Sequence, residues 1–178
     1  MRVINTKIKD LKIIKQKKHG DKRGYLRETF RKKIIKWDNL IFDYCTTSKK
    51  NALRGFHFQH KFQQAKYVSV LKGKILDCVI DLRKKSKTFG KTFTIVLSEE
   101  NCTSLYIPEG FAHAYYSYSD LNIIYYKLSN YYYPKFEDGI LWNDKKMKIR
   151  WPSKRPIVSP KDKKLKSFLD FKKIYKGL

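Results

Sequence analysis

Hydrophobic and polar residues alternate in short runs through the middle of the chain, a pattern typical of β-strands with one buried face. The segment KYVSVLKGKILDCVIDL (66–82) carries β-branched and aromatic residues on both sides of Lys72-Gly73-Lys74. A short glycine-containing link between two such runs predicts a β-hairpin. The segment TFTIVLS (92–98) alternates in the same way and predicts a further strand.

Two later segments continue the pattern. SLYIP (104–108) predicts one strand, and HAYYSYSDLNIIYYKL (113–128) predicts two strands separated by a turn at Ser119-Asp120. The strands recur at a spacing of about ten residues with no helix between them, which favours an antiparallel sandwich or barrel over a parallel sheet. We therefore expect an all-β fold.

The periodicity becomes helical near the C-terminus. Ser159-Pro160-Lys161-Asp162 has the order of a helix start, with a capping serine, proline at the first helical position and an acid at the third. The hydrophobic residues that follow at helical spacing are Leu165, Phe168, Leu169, Phe171, Ile174 and Tyr175. We expect a terminal helical segment over residues 159–178 that packs on the barrel.

The chain has 178 residues, the size of one ordinary domain, and it carries 41 Lys and Arg against 16 Asp and Glu, a net charge of +25. Such a field attracts nucleic acid or a membrane surface. Only eight of the basic residues are Arg, however, and the lysines are scattered. A nucleic-acid reader more often gathers Arg on one element. We attribute the charge to compositional drift and expect no nucleic-acid or membrane partner. A basic non-catalytic binding protein remains the alternative.

Cysteine usage and the N-terminus bear on the compartment. Cys45, Cys78 and Cys102 stand far apart with no CxxC pair, so no complete disulfide framework is expected. The first twenty residues hold a charge every few positions and no apolar run, which argues against a secretory signal. No stretch approaches the roughly eighteen apolar residues of a transmembrane helix. We expect a cytoplasmic protein.

Two motifs place histidine beside glycine: LRGFHFQH (53–60) and IPEGFAHAYY (107–116). The second resembles the second half-motif of cupins, and His57, His60 and His113 could in principle form a metal-binding set. His57 and His60, three apart on a strand, would however point to opposite faces, so we expect no metal.

The role of each histidine differs with its setting. His19 and His60 fit a structural role. His57 lies near Arg54 and between two aromatic residues, which suits a general base working beside an anion.

Several ordered segments from about residue 3 to residue 170 closely resemble the dTDP-4-dehydrorhamnose 3,5-epimerase family. These segments are GDKRGYLRETF (20–30), LRGFHFQ (53–59), AKYVSVLKGKILDCVIDLRKKSKTFGK (65–91), LSEENCTSLYIPEGFAHAYY (97–116), YYKLSNYYYP (125–134), EDGILWND (137–144), IRWP (149–152) and VSPKD (158–162). The resemblance implies a cupin jelly-roll barrel, or double-stranded β-helix, in one domain over residues 1–178. It also implies a homodimer that shares N-terminal strands within about residues 1–50, a nucleotide-diphosphate sugar as substrate, and catalysis without a metal or other cofactor.

The family's functional residues fall on matching positions of this sequence. The resemblance puts the catalytic base on His57, the acid that orients it on Asp162, the general acid on Tyr126 and an active-site lysine on Lys66. It puts substrate-binding roles on Arg23, Glu28, Arg54, His113, Tyr132, Glu137 and Lys161.

These residue types suit proton transfer beside a ketone. The carbonyl of a 4-keto sugar acidifies the hydrogens on both neighbouring carbons, so a base can remove one and leave an enolate. Return of a proton from the opposite face inverts the carbon. Taken singly, Asp162 could be a helix-capping acid, Tyr126 a packing residue and Lys66 one of many surface lysines.

The sequence also departs from the family pattern. Ile41-Phe42-Asp43 stands where Gln-Asp-Asn is common, the interval from His57 to Lys66 is one residue shorter, and GFAHA replaces GFAHG. We therefore predict an epimerase that inverts carbon 3, carbon 5 or both of a nucleotide-linked 4-keto-6-deoxy sugar, most simply converting dTDP-4-dehydro-6-deoxy-D-glucose to dTDP-4-dehydro-L-rhamnose. The alternatives are a single-carbon epimerase or a 3,4-ketoisomerase, acting on a sugar carried by GDP or another nucleotide.

Overall fold

The computed structural model describes residues 1–36 and 39–178, which form two facing β-sheets and a short C-terminal helix. The strands are β1 (Arg2–Asn5), β2 (Lys12–Lys15), β3 (Lys18–Asp21), β4 (Gly24–Arg27), β5 (Phe42–Ser48), β6 (Leu53–Gln59), β7 (Lys66–Lys72), β8 (Lys74–Asp81), β9 (Thr92–Ser98), β10 (Thr103–Ile107), β11 (Phe111–Ser117), β12 (Asn122–Leu128) and β13 (Glu137–Gly139). The helices are two 3-10 turns (Pro134–Phe136 and Asp162–Lys164) and α1 (Phe168–Tyr175).

Both main sheets are antiparallel and draw their strands from the whole chain. One has six strands in the order β1-β2-β10-β7-β12-β5, and the other has five in the order β13-β6-β11-β8-β9. Strands β3 and β4 pair with each other in a separate hairpin. The all-β, antiparallel architecture expected from the alternating pattern is confirmed.

The predicted hairpin across Lys72-Gly73-Lys74 is wrong. Strands β7 and β8 flank Gly73, but they belong to different sheets and do not pair. Gly73 has φ of +82°, and a Cβ there would lie 2.4 Å from the Leu121 carbonyl oxygen. At this residue the chain crosses from one sheet to the other. Such a corner requires a positive φ, as a tight hairpin turn does, and glycine adopts it most easily.

The hydrophobic core fills the space between the two sheets. Its members come from the inward faces of both sheets and include Val68, Val70, Val79, Leu105 and Tyr126. Each fully buried side chain of this kind contributes about 1.5–3 kcal/mol to folding. The core therefore holds the two sheets together and fixes which residues point inward.

The outer face of the five-stranded sheet is covered by the C-terminal part of the chain. Phe56 and Phe58 on β6 lie in one cluster with Phe168 and Phe171 of α1. Among the described residues, no helix has the length and apolar character required to cross a bilayer.

The C-terminal helix begins later than the sequence predicts. Its N-cap is Ser167, whose Oγ accepts the Asp170 N–H at 3.1 Å. Ser159 Oγ instead accepts the backbone N–H of Asp162 at 3.0 Å, at the start of the separate 3-10 turn. The Asp162 side chain is buried, and the chain becomes extended at Leu165 before α1 begins.

Gly55 lets strand β6 lie close against β11. It has φ of +107°, and a Cβ at this position would lie 2.4 Å from the His113 carbonyl oxygen and 2.8 Å from Ala114 Cα. These atoms are backbone in a paired strand, so they cannot move aside cheaply. Any side chain at Gly55 therefore strains the sheet.

We predict that Gly55→Ala lowers the free energy of unfolding by about 2–5 kcal/mol, because positive-φ strain and overpacking add. Gly20→Ala is the matched control: Gly20 lies in the exposed β3–β4 hairpin, where the nearest atom to a Cβ is 3.3 Å away. Urea unfolding of the two variants measures the difference. Equal stabilities would show that β6 tolerates a side chain there.

Candidate active site

A cavity of about 610 Å³ opens between the two sheets. Strands β5, β7 and β12 line it from the six-stranded sheet, β6 and β11 line it from the five-stranded sheet, and residues 157–162 border it. The polar and charged residues that line it include Tyr44, Arg54, His57, Lys66, His113, Tyr126, Lys161 and Asp162. The structure thus brings together all four residues expected to be catalytic.

His57 and Asp162 form a buried hydrogen-bonded pair at this cavity. His57 Nε2 lies 2.8 Å from Asp162 Oδ1, and the Gly55 backbone N–H donates to Asp162 Oδ2 at 3.1 Å. Burial alone would raise the pKa of the Asp162 carboxyl, but the hydrogen bond and charge of His57, with the Gly55 donor, hold that pKa below its usual value. A carboxylate held ionised fixes the Nε2–H tautomer of His57 and leaves Nδ1 as the basic nitrogen.

Tyr126 projects into the cavity from the opposite sheet. Its side chain is only 3% exposed, and burial raises its pKa well above the ordinary value, helped by neighbouring Tyr115, Tyr44 and Asp77. The phenol therefore stays protonated over the whole physiological range. A neutral phenol is a proton donor, which suits the general-acid role.

Lys66 lines the cavity beside Tyr126 on the neighbouring strand β7. Desolvation lowers its pKa to about 8, against the opposing attraction of Glu137 and Asp77. The ammonium is thus a poorly hydrated cation facing the cavity. Such a group strengthens its interaction with any negative charge that develops nearby.

A second histidine–carboxylate pair lies next to the first, on the adjacent strand. His113 pairs directly with His57 across strands β11 and β6, and its Nε2 lies 2.8 Å from Asp77 Oδ2. Asp77 is fully buried, and its Oδ1 has no hydrogen-bond partner among the described residues. Sequence reasoning missed Asp77, although a lone carboxylate inside the apolar strand ILDCVI (75–80) was a signal for a buried ionic role.

Four more predicted residues lie at or next to the edge of the cavity, which Arg54 and Lys161 line. Glu137 accepts a hydrogen bond from Tyr132 Oη at 2.9 Å and forms an ion pair with Lys161. That ion pair raises the pKa of Lys161, so the ammonium persists. Arg54 lines the cavity and donates to Ser48 Oγ at 3.0 Å. The edge therefore presents two cations, which suits an anionic ligand.

Two further predicted residues, both N-terminal to strand β5, lie away from the cavity. Arg23, with its side chain 90% exposed, pairs with Asp21 in the β3–β4 hairpin. Glu28 follows that hairpin and pairs with Arg31. Neither borders the cavity, so one chain alone does not bring them to the other predicted site residues.

His60 lies apart from the cavity and contacts aromatic rings. His60 packs between Phe136 and Tyr175, as a structural histidine does. Within residues 1–36 and 39–178, no group of three or more His, Cys, Asp or Glu side chains could hold a metal ion.

Comparison with known proteins now identifies the family. The model for dTDP-4-dehydrorhamnose 3,5-epimerase matches residues 5–170. The chain belongs to that family. A curated dTDP-4-dehydrorhamnose 3,5-epimerase from Salmonella typhimurium is 43% identical over 169 residues, which cover 91% of this chain and 92% of the relative.

Solved epimerase structures agree with the fold. The Legionella pneumophila dTDP-6-deoxy-D-glucose-3,5-epimerase, in complex with dTDP-4-keto-L-rhamnose, is similar with a TM-score of 0.88 and 38% identity, covering 93% of this chain and 92% of that one. A 3'-monoepimerase from Streptomyces bikiniensis, in complex with dTDP-quinovose, also has a TM-score of 0.88, at 26% identity, covering 95% and 89%. The predicted jelly-roll fold and isomerase class are confirmed.

We predict that Lys66 titrates near pH 8, losing its charge as the pH rises through that value, because desolvation disfavours the ammonium. NMR of protein labelled with ¹³C at lysine Cε follows the titration, and the resonance is assigned by its loss in Lys66→Gln. Lys161, held charged by Glu137, is the internal reference. A Lys66 resonance that titrates with the surface lysines would contradict the prediction.

Proposed function

We propose that this chain epimerises dTDP-4-dehydro-6-deoxy-D-glucose at carbons 3 and 5 to give dTDP-4-dehydro-L-rhamnose, without a cofactor. The observation that carries the proposal is the placement of His57 on one sheet and Tyr126 on the facing sheet of the same cavity. A planar enolate held between them would meet a base on one face and an acid on the other. The family's relatives, one bound to dTDP-4-keto-L-rhamnose, support the substrate.

The first step is proton removal beside the ketone. His57 Nδ1 takes a proton from carbon 3 or carbon 5, the C–H bond breaks, and its electron pair forms the enolate with charge on the oxygen at carbon 4. Asp162 stabilises the imidazolium that results. Lys66 offers its ammonium to the enolate oxygen, a contribution whose removal typically costs about 10²–10³ in rate.

The second step returns a proton to the opposite face. Tyr126 donates its phenolic proton to the same carbon, the enolate collapses to the ketone, and the centre is inverted. The imidazolium releases its proton to water, and the phenolate takes one from water. The cycle then repeats at the other carbon, so neither oxidant nor metal is consumed.

Substrate binding uses the cations at the cavity edge. Arg54 and Lys161 would pair with the diphosphate, and His113, Tyr132 and Glu137 would contact the sugar and nucleotide. Arg23 and Glu28 would complete the site from the second protomer of a homodimer that shares its N-terminal strands. The exposed hairpin residues Tyr25 and Leu26, 45% and 68% accessible, support this arrangement, since large apolar side chains are commonly covered at interfaces.

The compartment we propose is the cytoplasm. Cys45, Cys78 and Cys102 are all free thiols, which fits a reducing environment. The second candidate activity is epimerisation at one carbon, because a 3'-monoepimerase shares the fold with a TM-score of 0.88. Hydrogen exchange at one carbon rather than two would favour it.

We predict that His57→Asn lowers the rate of solvent hydrogen exchange at both carbons by about 10²–10⁴, because the general base is lost. Proton NMR of the substrate in deuterated water measures this exchange. The control is His60→Asn, whose ring packs away from the cavity. Undiminished exchange in His57→Asn, with His60→Asn also active, would rule out His57 as the base.

Shared sites predict complementation between two inactive variants. We expect His57→Asn and Arg23→Ala homodimers to be weakly active, whereas a tagged heterodimer of the two regains about half the wild-type activity, because one of its two sites contains native His57 and native Arg23. The measurement is turnover of the tandem-purified heterodimer. A heterodimer no more active than its parents would place Arg23 in the site of its own chain or outside the reaction.

A further inference from the structure

Packing holds the Tyr126 ring in place, both in the hydrophobic core and against other aromatic rings. Its hydroxyl makes no hydrogen bond with another described residue, although the side chain is only 3% exposed. The ring stacks on Tyr44 with centroids 5.0 Å apart and an interplanar angle of 21°. It meets His113 edge-on at 6.0 Å and 67°. Because no hydrogen bond from a described residue fixes the hydroxyl, its orientation depends on the side chains packed around the ring.

Tyr44 reaches Tyr126 from the adjacent strand. The two residues are directly opposite in the β5–β12 pairing, so their side chains share the inner face of the sheet. The Tyr44 hydroxyl also has no hydrogen-bond partner in the described part of the chain, which leaves its ring as the feature that contacts Tyr126. Phe42, two residues earlier on the same face, packs against Tyr44 at 5.7 Å.

The aromatic shelf formed by Phe42 and Tyr44 restricts how Tyr126 can move. The hydroxyl oxygen of a tyrosine lies on the axis of its ring, so rotation about χ2 leaves the oxygen in place and rotation about χ1 swings it. A stacked neighbour blocks that swing. The shelf therefore fixes the position of the oxygen from which the proton must be delivered.

We propose that Tyr44 is a positioning residue that aims the Tyr126 hydroxyl at the carbon being inverted. The proposal rests on the proposed function, in which Tyr126 is the general acid. Without the Tyr44 ring, His57 still removes the proton from the substrate carbon. Delivery of a proton by Tyr126 to the opposite face of that carbon becomes less efficient. The imidazolium can then return a solvent-derived hydrogen to the original face. Hydrogen exchange survives while inversion falls.

Three variants at position 44 separate positioning from other roles. Tyr44→Phe keeps the ring and removes the hydroxyl, Tyr44→Ala removes the ring, and Tyr44→Leu replaces it with apolar volume that is not planar. Tyr125→Ala is the matched control, because it removes a tyrosine ring from the same strand as Tyr126 but on the face that carries Asp43, to which the Tyr125 hydroxyl donates at 3.0 Å.

The readout is the ratio of inverted product to hydrogen exchange, followed by proton NMR in deuterated water with dTDP-4-keto-6-deoxyglucose. In Tyr44→Ala and Tyr44→Leu we expect this ratio to fall about tenfold while KM stays unchanged. A tenfold change corresponds to about 1.4 kcal/mol, which is the size of the interaction between one pair of aromatic rings. Tyr44→Phe and Tyr125→Ala keep the wild-type ratio. If Tyr44→Ala unfolds, Tyr44→Leu carries the test.

Three results would overturn the proposal. A wild-type ratio in both ring-removal variants would show that Tyr126 needs no stacked neighbour. A loss in Tyr44→Phe equal to that in Tyr44→Ala, or a raised KM with an unchanged ratio, would make Tyr44 a substrate contact. A wild-type ratio in Tyr126→Phe would instead refute the acid role of Tyr126, and so the proposed function, independently of Tyr44.

Discussion

The hydrogen bond between His57 Nε2 and Asp162 Oδ1, 2.8 Å long, connects strand β6 to a segment more than a hundred residues later in the chain. The Asp162 side chain is only 5% exposed, and an unpaired carboxylate so deeply buried would cost several kcal/mol. The His57 ring and the Gly55 N–H compensate that cost. Because these partners stand at the cavity, the 157–162 segment lies along its border, and the C-terminal helix follows at Phe168.

The interior of the barrel has an apolar region and a polar region. Where the two inner faces are apolar, residues such as Val68 and Val79 pack as an ordinary core. Next to that region, polar groups share the inner faces: His57 and His113 pair across β6 and β11, and each has its own carboxylate. Lys66 lies among these groups with its pKa lowered to about 8 by desolvation. The proposed proton transfer would therefore take place in a pre-formed, partly dry space between the two sheets.

Local patterning predicted those features that depend on neighbouring residues in the sequence. The alternation of TFTIVLS (92–98) correctly predicted strand β9. The hairpin at Gly73 failed because a tight glycine turn looks the same whether the chain returns to one sheet or crosses to another. Only the family resemblance predicted that Asp162 orients His57, since the capping pattern around Asp162 alone predicted a helix start.

Features that depend on strand pairing could not be obtained from the sequence. Asp77 reaches His113 as a diagonal neighbour, and Tyr44 meets Tyr126 through the β5–β12 register, relations that no local spacing specifies. The positions of Arg23 and Glu28 relative to the cavity could not be obtained from the sequence either. The family resemblance assigns them to the site, whereas the fold of one chain leaves them in or just after the β3–β4 hairpin, away from the cavity.

The most direct test of the account is a crystal structure of the protein with dTDP-quinovose, whose sugar lacks the 4-keto group and cannot react. We predict that the hexose occupies the cavity with His57 Nδ1 on one face and the Tyr126 hydroxyl on the other, each within about 4 Å of carbon 3 or carbon 5. A hexose with both groups on the same face, or one bound outside the cavity, would contradict inversion by proton transfer between the two sheets.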